Sequence, residues 1–487
     1  MSEPHVESIT APAPYSRAIV AVKLGLVLLF TVAMTVLVLR HTPGVNGPDY
    51  WNWSWRRLPF FPLYATMFAA LLPLLAAVVL VERKSIGHRG ALALMMLATL
   101  GLELAAIRAQ PPHGWDRLID IVRNPVNTSY YTTATFVKDV PVLGHEGWMS
   151  LFPQLLAEEF KIMVHARFKP PGLMLFYYTI IQILGDTPRA ALVGGLLIAA
   201  LATLVVPATY ALIRYFSGNA QAALSAAAFV ALCPSLVLFL PQFDQIYPAL
   251  ACVILIAWGK ALQRGGYTWS VAYGAALALG LFLSYIFLIL GVFLAVLSLL
   301  HIAERGRRGA SRVIVQSLIA VTTMFLLYLI LASLTGFDPI ATFRTASTLQ
   351  ESDLVHLSRP FPRHVPYDLL DFALGSGWIS FLLIGMYLLR EGGRVARVFG
   401  QPPEHRLVFL SLLQILTVAC AALLPGESAR LWLPMLPLLM APIGFELSRW
   451  PLGARLTVYV CLWLILVVIC QNMTFLYMGP ELDGPRS

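Results

Sequence analysis

The sequence predicts an all-α polytopic membrane protein: about 13 transmembrane helices with a long external loop that carries interfacial helices. Three observations predict it. Of 487 residues, 58% are hydrophobic and only 12% charged, with a mean hydropathy of +0.75, more apolar surface than a water-soluble domain of this length hides. Apolar runs near the length that crosses a bilayer recur along the chain. Basic residues gather in alternate loops, the asymmetry that marks cytoplasmic segments.

The runs lie at 18–39, 61–82, 90–109, 189–213, 222–240, 245–262, 313–334, 367–390, 406–424, 430–447 and 455–477. The stretch 270–301 is too long for one ordinary span and has basic flanks, Arg264 before it and Arg305, Arg307 and Arg308 after. It is expected to rise and return as two short helices that turn near Ser284 and Tyr285. Gly172 to Leu184 falls short of the spanning length and reads as a re-entrant or interfacial helix. Were it to cross, the basic segments 302–312 and 390–406 would fall outside. With the N-terminus cytoplasmic, the inside loops hold Arg83, Lys84, Arg89, Arg214, Arg264, the arginines of 302–312 and 390–406, Arg449 and Arg455.

The first seventeen residues lack a basic n-region and a small-residue cleavage site, so the first helix is expected to remain as an anchor. The chain reads as one transmembrane domain, 1–487, with a large external, periplasmic-side loop at 110–188 and a bundle at 189–477. Within the loop, 148–164 suggests an amphipathic helix on the outer leaflet. The formal charge of +9 fits basic cytoplasmic loops, and no nucleic-acid partner is expected. Cys233, Cys252, Cys420, Cys461 and Cys470 all lie in apolar runs without metal-ligand spacing and read as small buried hydrophobes. There is no Walker A or GxGxxG string, so a nucleotide-driven reaction has no support.

The most informative string is His165-Ala-Arg-Phe-Lys169-Pro170-Pro171-Gly172, where the long loop re-enters the membrane. Two prolines fix the backbone and remove two N–H donors, which aims neighbouring side chains. Either this basic turn anchors a helix to headgroups, or Lys169 and Arg167 bind a phosphate at the bilayer surface. External carboxylates are Asp49, Asp116, Asp120, Asp139, Glu146, Asp244 and Glu427; Asp116 and Asp120 would share a helix face. Asp244 stands alone between two apolar runs, followed by Gln245 and Tyr247, and an acid at membrane depth is costly unless used. Arg430 either clamps a phosphate through its planar fork or pairs with Glu427 three residues away. Trp51, Trp53 and Trp55 form either an aromatic belt or a platform for a sugar. Lys260 and Glu446 read as snorkelling interface residues, and Glu103 as facing a partner such as Arg108.

The segment HARFKPPGLMLFYY resembles the H-x-KPP-L-x-x-W/Y segment of GT-C-type integral membrane glycosyltransferases, the superfamily of protein O-mannosyltransferases and aminoarabinose transferases. Further likenesses follow in order at Trp115-Asp116 to Ala134, Gly185 to Arg189, Pro241 to Pro248, and Gly426 to Pro434. The fit implies that 18–82 is an added N-terminal helix hairpin. It also implies transfer of a sugar from a polyprenyl-phosphate donor to a lipid, glycan or protein acceptor, on the external face of a plasma (inner) membrane. On that likeness, Lys169, Arg167, His165 and Arg430 would hold the donor phosphate, and Asp244 and Tyr247 would position donor or metal. Tyr130, Tyr131 and Trp53 would stack on acceptor or sugar. Asp116 leads the acids that would serve as catalytic base, with Asp139 and Asp49 behind it. The sequence departs from the pattern where relatives carry an acid, having Asn127, Thr128 and Ser129 there. Some relatives use a divalent cation, Mg2+ or Mn2+; without a dense acidic pair, none is expected here. The rival readings are a multi-pass transporter and a lipid-linked-sugar flippase without transferase chemistry. Polar residues that collect in external loops, and halves that do not match, weigh against the transporter.

Overall fold

Long apolar stretches interrupted by Pro, Gly and Ser dictate what this chain builds: helices of unequal length, few of them straight from end to end. The computed structural model describes residues 15–47, 53–111, 114–159, 165–354, 362, 364–397, 399–424 and 426–474. The N-terminal part contains α1 (Arg17–Leu39), α2 (Phe60–Glu82) and α3 (His88–Arg108). The long connection that follows holds α4 (Asp116–Arg123), α5 (Tyr130–Phe136), α6 (Phe152–Ala157) and α7 (Gly172–Leu184). Next come α8 (Pro188–Ala202), α9 (Val205–Ser217), α10 (Ala220–Val230), α11 (Pro234–Leu238), α12 (Tyr247–Arg264), α13 (Tyr267–Leu283) and α14 (Gly291–Thr335). The chain finishes with α15 (Pro339–Leu354), α16 (His364–Ser376), α17 (Ile379–Val395), α18 (Pro403–Cys420), α19 (Ser428–Leu431), α20 (Leu436–Leu447) and α21 (Leu452–Asn472). A two-residue ribbon, β1 (Ser54–Trp55) against β2 (Met473–Thr474), joins the ends of the chain in antiparallel register.

Among the described residues, 7 helices are long and apolar enough to cross a membrane, or 8 if the α16–α17 pair, bent by 108°, is one span. This is fewer than the runs suggested. Pro234 splits the run 222–240 into α10 and α11, α13 stops at Ser284, and Pro434 sits in a 3-10 turn ahead of α20. The break at Ser284 falls where the sequence placed it: backbone there is extended and a 3-10 turn, Tyr285–Leu290, leads into α14. Inside α14, Gly306 adopts φ 56°, ψ −137°, which L side chains rarely tolerate. It divides α14 into two arms within the basic segment 302–312. One arm meets α12, where the Trp258 indole donates to Ser298 at 3.0 Å; the other meets α13, where a Cβ on Gly274 would stand 2.4 Å from the Ala320 carbonyl. An equally close approach occurs at Gly444, 2.4 Å from the Ala222 carbonyl between α20 and α10, and a looser one at Gly101, 3.0 Å from the Ala70 Cβ between α3 and α2. Small residues let apolar helices bring backbones together where no hydrophobic gradient drives them.

At the end holding the start of α1 and the end of α20, Glu446 accepts hydrogen bonds from Tyr15, Lys23 and the Trp450 indole. Glu391 pairs with Arg390 at 2.9 Å, Arg394 at 3.0 Å, His405 at 3.2 Å and Arg449 at 3.4 Å. Glu446 is fully buried, not a snorkelling residue, because it ties α1, α17 and α20 together. Lys260 lies 4.0 Å over the Trp269 ring. Glu103 is also fully buried, and Arg108 stacks on Trp115 instead of reaching it. Cys420 is exposed at the end of α18, unlike the other four cysteines. Of the expected amphipathic segment 148–164, the structure forms α6, with Phe152 and Leu156 buried; 160–164 lie outside the described residues.

Glu446→Ala strands Lys23 and Arg390 against the bundle, and loss of one partner from a buried pair costs about 3–5 kcal/mol. The variant in detergent is expected to melt well below wild type by intrinsic tryptophan fluorescence, whereas Glu304→Ala, at an exposed pair with Arg406, is expected to change little.

Candidate functional site

Polar residues fix the long connection in detail, in addition to apolar packing that buries Leu118, Ile121, Trp148 and Phe152. Ser129 takes a left-handed conformation, φ 58°, that turns its hydroxyl to accept the Ala166 N–H at 2.9 Å while donating to the Thr128 carbonyl. The Thr128 hydroxyl closes onto the Val122 carbonyl at 2.9 Å, and the Asn127 carbonyl accepts from Gln242 at 2.7 Å. Ser129 therefore braces the 165–172 turn directly, and Thr128 and Asn127 fix the segment that carries it. Beyond the brace, Ala166–Phe168 make one 3-10 turn and Pro170 and Pro171 lead into α7. Gly172 is pressed against the end of α13, so that an added Cβ would lie 2.4 Å from the Phe282 carbonyl.

This seating delivers Lys169 to the break between α13 and α14, where its ammonium donates to the Ser284 hydroxyl at 3.0 Å. Tyr247, at the start of α12, sits beside the same hydroxyl with its ring against Phe287. One turn earlier, the 3-10 segment Phe243–Gln245 presents Asp244, only 5% exposed. One Asp244 oxygen, Oδ2, is 3.8 Å from Arg430; the other, Oδ1, is buried with no hydrogen-bond partner among the described residues. Arg430 also pairs with Glu427, which holds a left-handed backbone, φ 49°. The turn that carries both is fixed from α16: Asp368 accepts from the Gly426 N–H at 3.0 Å and the Ser428 hydroxyl at 3.1 Å, and Asp371 accepts from the Ala429 N–H at 2.8 Å.

Lys169, Asp244 and the Glu427–Arg430 pair thus come from three separate segments into one desolvated cluster. Burial lowers the Lys169 ammonium from its ordinary value, opposed by Asp244. Burial raises the Glu427 carboxyl above the usual glutamate range in spite of Arg430, with Asp244 adding to the rise. His165, beside Arg430 and Lys169, is held well below its ordinary value by burial and then by those two cations, so its ring stays neutral. The Tyr130 hydroxyl faces the same group and is pushed up by burial and by Asp244. Its ring meets Phe243 edge-on at 6.2 Å.

The other expected site residues lie elsewhere. Asp116 is exposed at the first turn of α4, where it faces Asp120, and Asp139 is exposed near Tyr178; neither reaches Arg430 or Lys169. Asp49 lies outside the described residues. Tyr131 donates to Asp186 at 2.9 Å and closes the loop onto the α7–α8 corner. Trp53 is 1% exposed and packed on Phe239, so it presents no open stacking face. Arg167 stacks on Phe168. Sequence reasoning missed Asp368 and Asp371 because they sit in an apolar run taken as a span, although acids at such depth carry the same signal as Asp244. Glu427 was recognised only as an external acid and as a local partner of Arg430.

Among the described residues, no group of three or more His, Cys, Asp or Glu side chains is arranged to hold a metal ion. No protein-family model matches the sequence, and no curated protein matches it. Fold and site define a class: a nearly all-helical protein with long apolar helices and a buried cationic and acidic cluster at one helix end.

Two outcomes check this geometry. Ser129→Ala leaves the buried Ala166 N–H without an acceptor, a loss of about 1–3 kcal/mol, and should speed trypsin cleavage after Arg167 relative to wild type. For His165, an unfolded imbalance in protons follows from the lowered value: between the ordinary 6.5 and its lower folded value the unfolded chain binds more protons. Stability is therefore lost as pH falls through that window, and His165→Gln should flatten the slope of melting temperature against pH there.

Proposed function

We propose that the protein is a glycosyltransferase of about 13 spans in a plasma (inner) membrane, with its N-terminus cytoplasmic and its active site on the external, periplasmic side. It moves a sugar from a polyprenyl-phosphate donor to a lipid, glycan or protein acceptor. The break at Ser284, within continuous apolar sequence, and the break at Gly306, in the basic segment 302–312, add helix arms and support the higher span count. The observation that carries the reaction is the cluster itself: Lys169 and Arg430, two cations, beside Asp244, whose buried oxygen has no donor.

Glycosyl transfer breaks the bond between the anomeric carbon and the phosphate oxygen and forms one to the acceptor oxygen, whose proton must leave. Negative charge develops on the departing phosphate, so the barrier falls where fixed cations already point at it. Lys169 commits one N–H to Ser284 and has the compact charge to meet that phosphate, while the planar Arg430 fork suits a bidentate contact. Asp244 Oδ1 is the group to accept the acceptor proton, a role the sequence had given first to Asp116. Glu427 positions Arg430, and the neutral His165 and Tyr130 hydroxyl supply hydrogen bonds at the rim. A divalent cation fits this donor set poorly, because Asp244 and Glu427 both face Arg430, and Lys169 adds a second positive charge. The cations of the chain take that role.

The test uses purified full-length protein in liposomes with a panel of polyprenyl-phosphate sugars, measuring released polyprenyl phosphate. Lys169→Ala is expected to lose about 100-fold or more in turnover, and Asp244→Asn about 100- to 10,000-fold, with melting temperatures retained. Turnover indifferent to both would refute the assignment; donor movement across the bilayer without release would favour a flippase.

A further inference from the structure

The far end of α12 bears a second cationic site that the transferase reading does not use. Between the last turn of α12, the first arm of α14 and Arg406 of α18 lies a cavity of about 520 Å³, inside the ~300–1,000 Å³ of ordinary ligand sites. Arg264, Arg305 and Arg406 stand around it against a single carboxylate, Glu304, which pairs with Arg406. Arg264 and Arg305 make no ion pair among the described residues. Arg312, next to them, is spent on the carbonyls of Leu262 and Gln263, each at 3.2 Å. His301 also lines the cavity; it is only 8% exposed, and its Nε2 is buried without a hydrogen-bond partner among the described residues.

The polar rim has an apolar floor. Leu262, Leu297 and Leu300 form the base of the cavity, and a second cavity of about 290 Å³ adjoins it, sharing Gln263, Leu297 and Arg406 and continuing along Phe216, Leu407 and Leu410. On the outer side of the same α14 arm, Leu299 is 62% exposed, as a residue facing lipid tails would be. A small anion satisfies the arginines but not this floor; an amphiphile satisfies both.

The geometry points to a binding site for one anionic phospholipid. Its phosphate lies between Arg264 and Arg305, a phosphate or headgroup oxygen meets His301 Nε2, and an acyl chain follows Leu297 into the adjoining cavity. Basic pockets between helices on the cytoplasmic side recognise anionic headgroups by the same physics, charge at the rim and a groove for the tail. The site lies about 25 Å from Asp244 along α12, at 1.5 Å per residue, and stands whether or not the transferase reading does.

Full-length protein stripped of lipid in a neutral detergent is titrated with phosphatidylglycerol, phosphatidylcholine or inorganic phosphate while its melting temperature is followed. Phosphatidylglycerol is expected to raise the melting temperature in a saturable way, phosphatidylcholine and inorganic phosphate to leave it unchanged. Arg264→Gln/Arg305→Gln is expected to lose that rise while melting normally without lipid. Should the double variant fail to fold, Leu297→Phe, which fills the apolar floor and leaves the charges in place, is expected to weaken the phosphatidylglycerol response at least tenfold in half-saturating concentration. Equal shifts from phosphatidylglycerol and phosphatidylcholine, or a full phosphatidylglycerol response in either variant, would overturn the site. A shift from inorganic phosphate as large as that from phosphatidylglycerol would overturn the lipid assignment.

Discussion

A guanidinium held between two carboxylates in a nearly water-free position is the constraint around which one end of this molecule is arranged. Arg430 meets Asp244 and Glu427 with little solvent to share its charge. Burying such groups is unfavourable unless each finds its partner in good geometry. That requirement reaches outward: the Glu427 turn must be fixed, so Asp368 and Asp371 hold its backbone from α16. Asp244 must be aimed, so its segment is a tight 3-10 turn between apolar helices, tied to the long connection through Gln242 and Asn127. Lys169 arrives from that connection and completes the set.

The opposite end solves a similar problem with a different outcome. There Glu391 and Glu446 are saturated by arginine, lysine, histidine, tyrosine and tryptophan donors, and the network joins α1, α17, α18 and α20. Both carboxylates in it are engaged by charged partners. The two ends differ: the Glu391 and Glu446 carboxylates hold helices together, whereas Asp244 Oδ1 has no hydrogen-bond partner among the described residues and the Lys169 ammonium donates to Ser284.

Local rules made much of this legible in sequence. Ser284 was recognisable as a turn because the apolar run was too long for one helix, and the 302–312 corner because a bilayer rejects consecutive arginines. Pro170 and Pro171 announced a rigid turn, and Asp244 was conspicuous as an acid between apolar runs. Long-range pairing was not legible. Nothing near Ser129 says that its hydroxyl receives Ala166, and nothing around Asp371 says that it caps a turn more than fifty residues away. Trp53 reads as an interface aromatic by spacing, yet tertiary packing buries it. Asp116 and Asp139 were ranked by position along the loop, and the path of α4 and of the Lys138–Asp186 pair carries them to exposed surface. Short helices such as α10 and α20 lowered the number of regular spans because prolines divide their runs, a break that hydropathy averages over.

Photolabelling reads directly where the proposed lipid-phosphate donor binds. A polyprenyl-phosphate sugar bearing a diazirine on its first isoprene unit would be irradiated with the protein in liposomes and the labelled peptides identified by mass spectrometry. Labelling of residues around 165–172, 243–247 or 426–430, competed by unmodified donor and reduced in Lys169→Ala, is the result expected. Labelling confined to the Arg264 and Arg305 end, or indifferent to competitor, would contradict it.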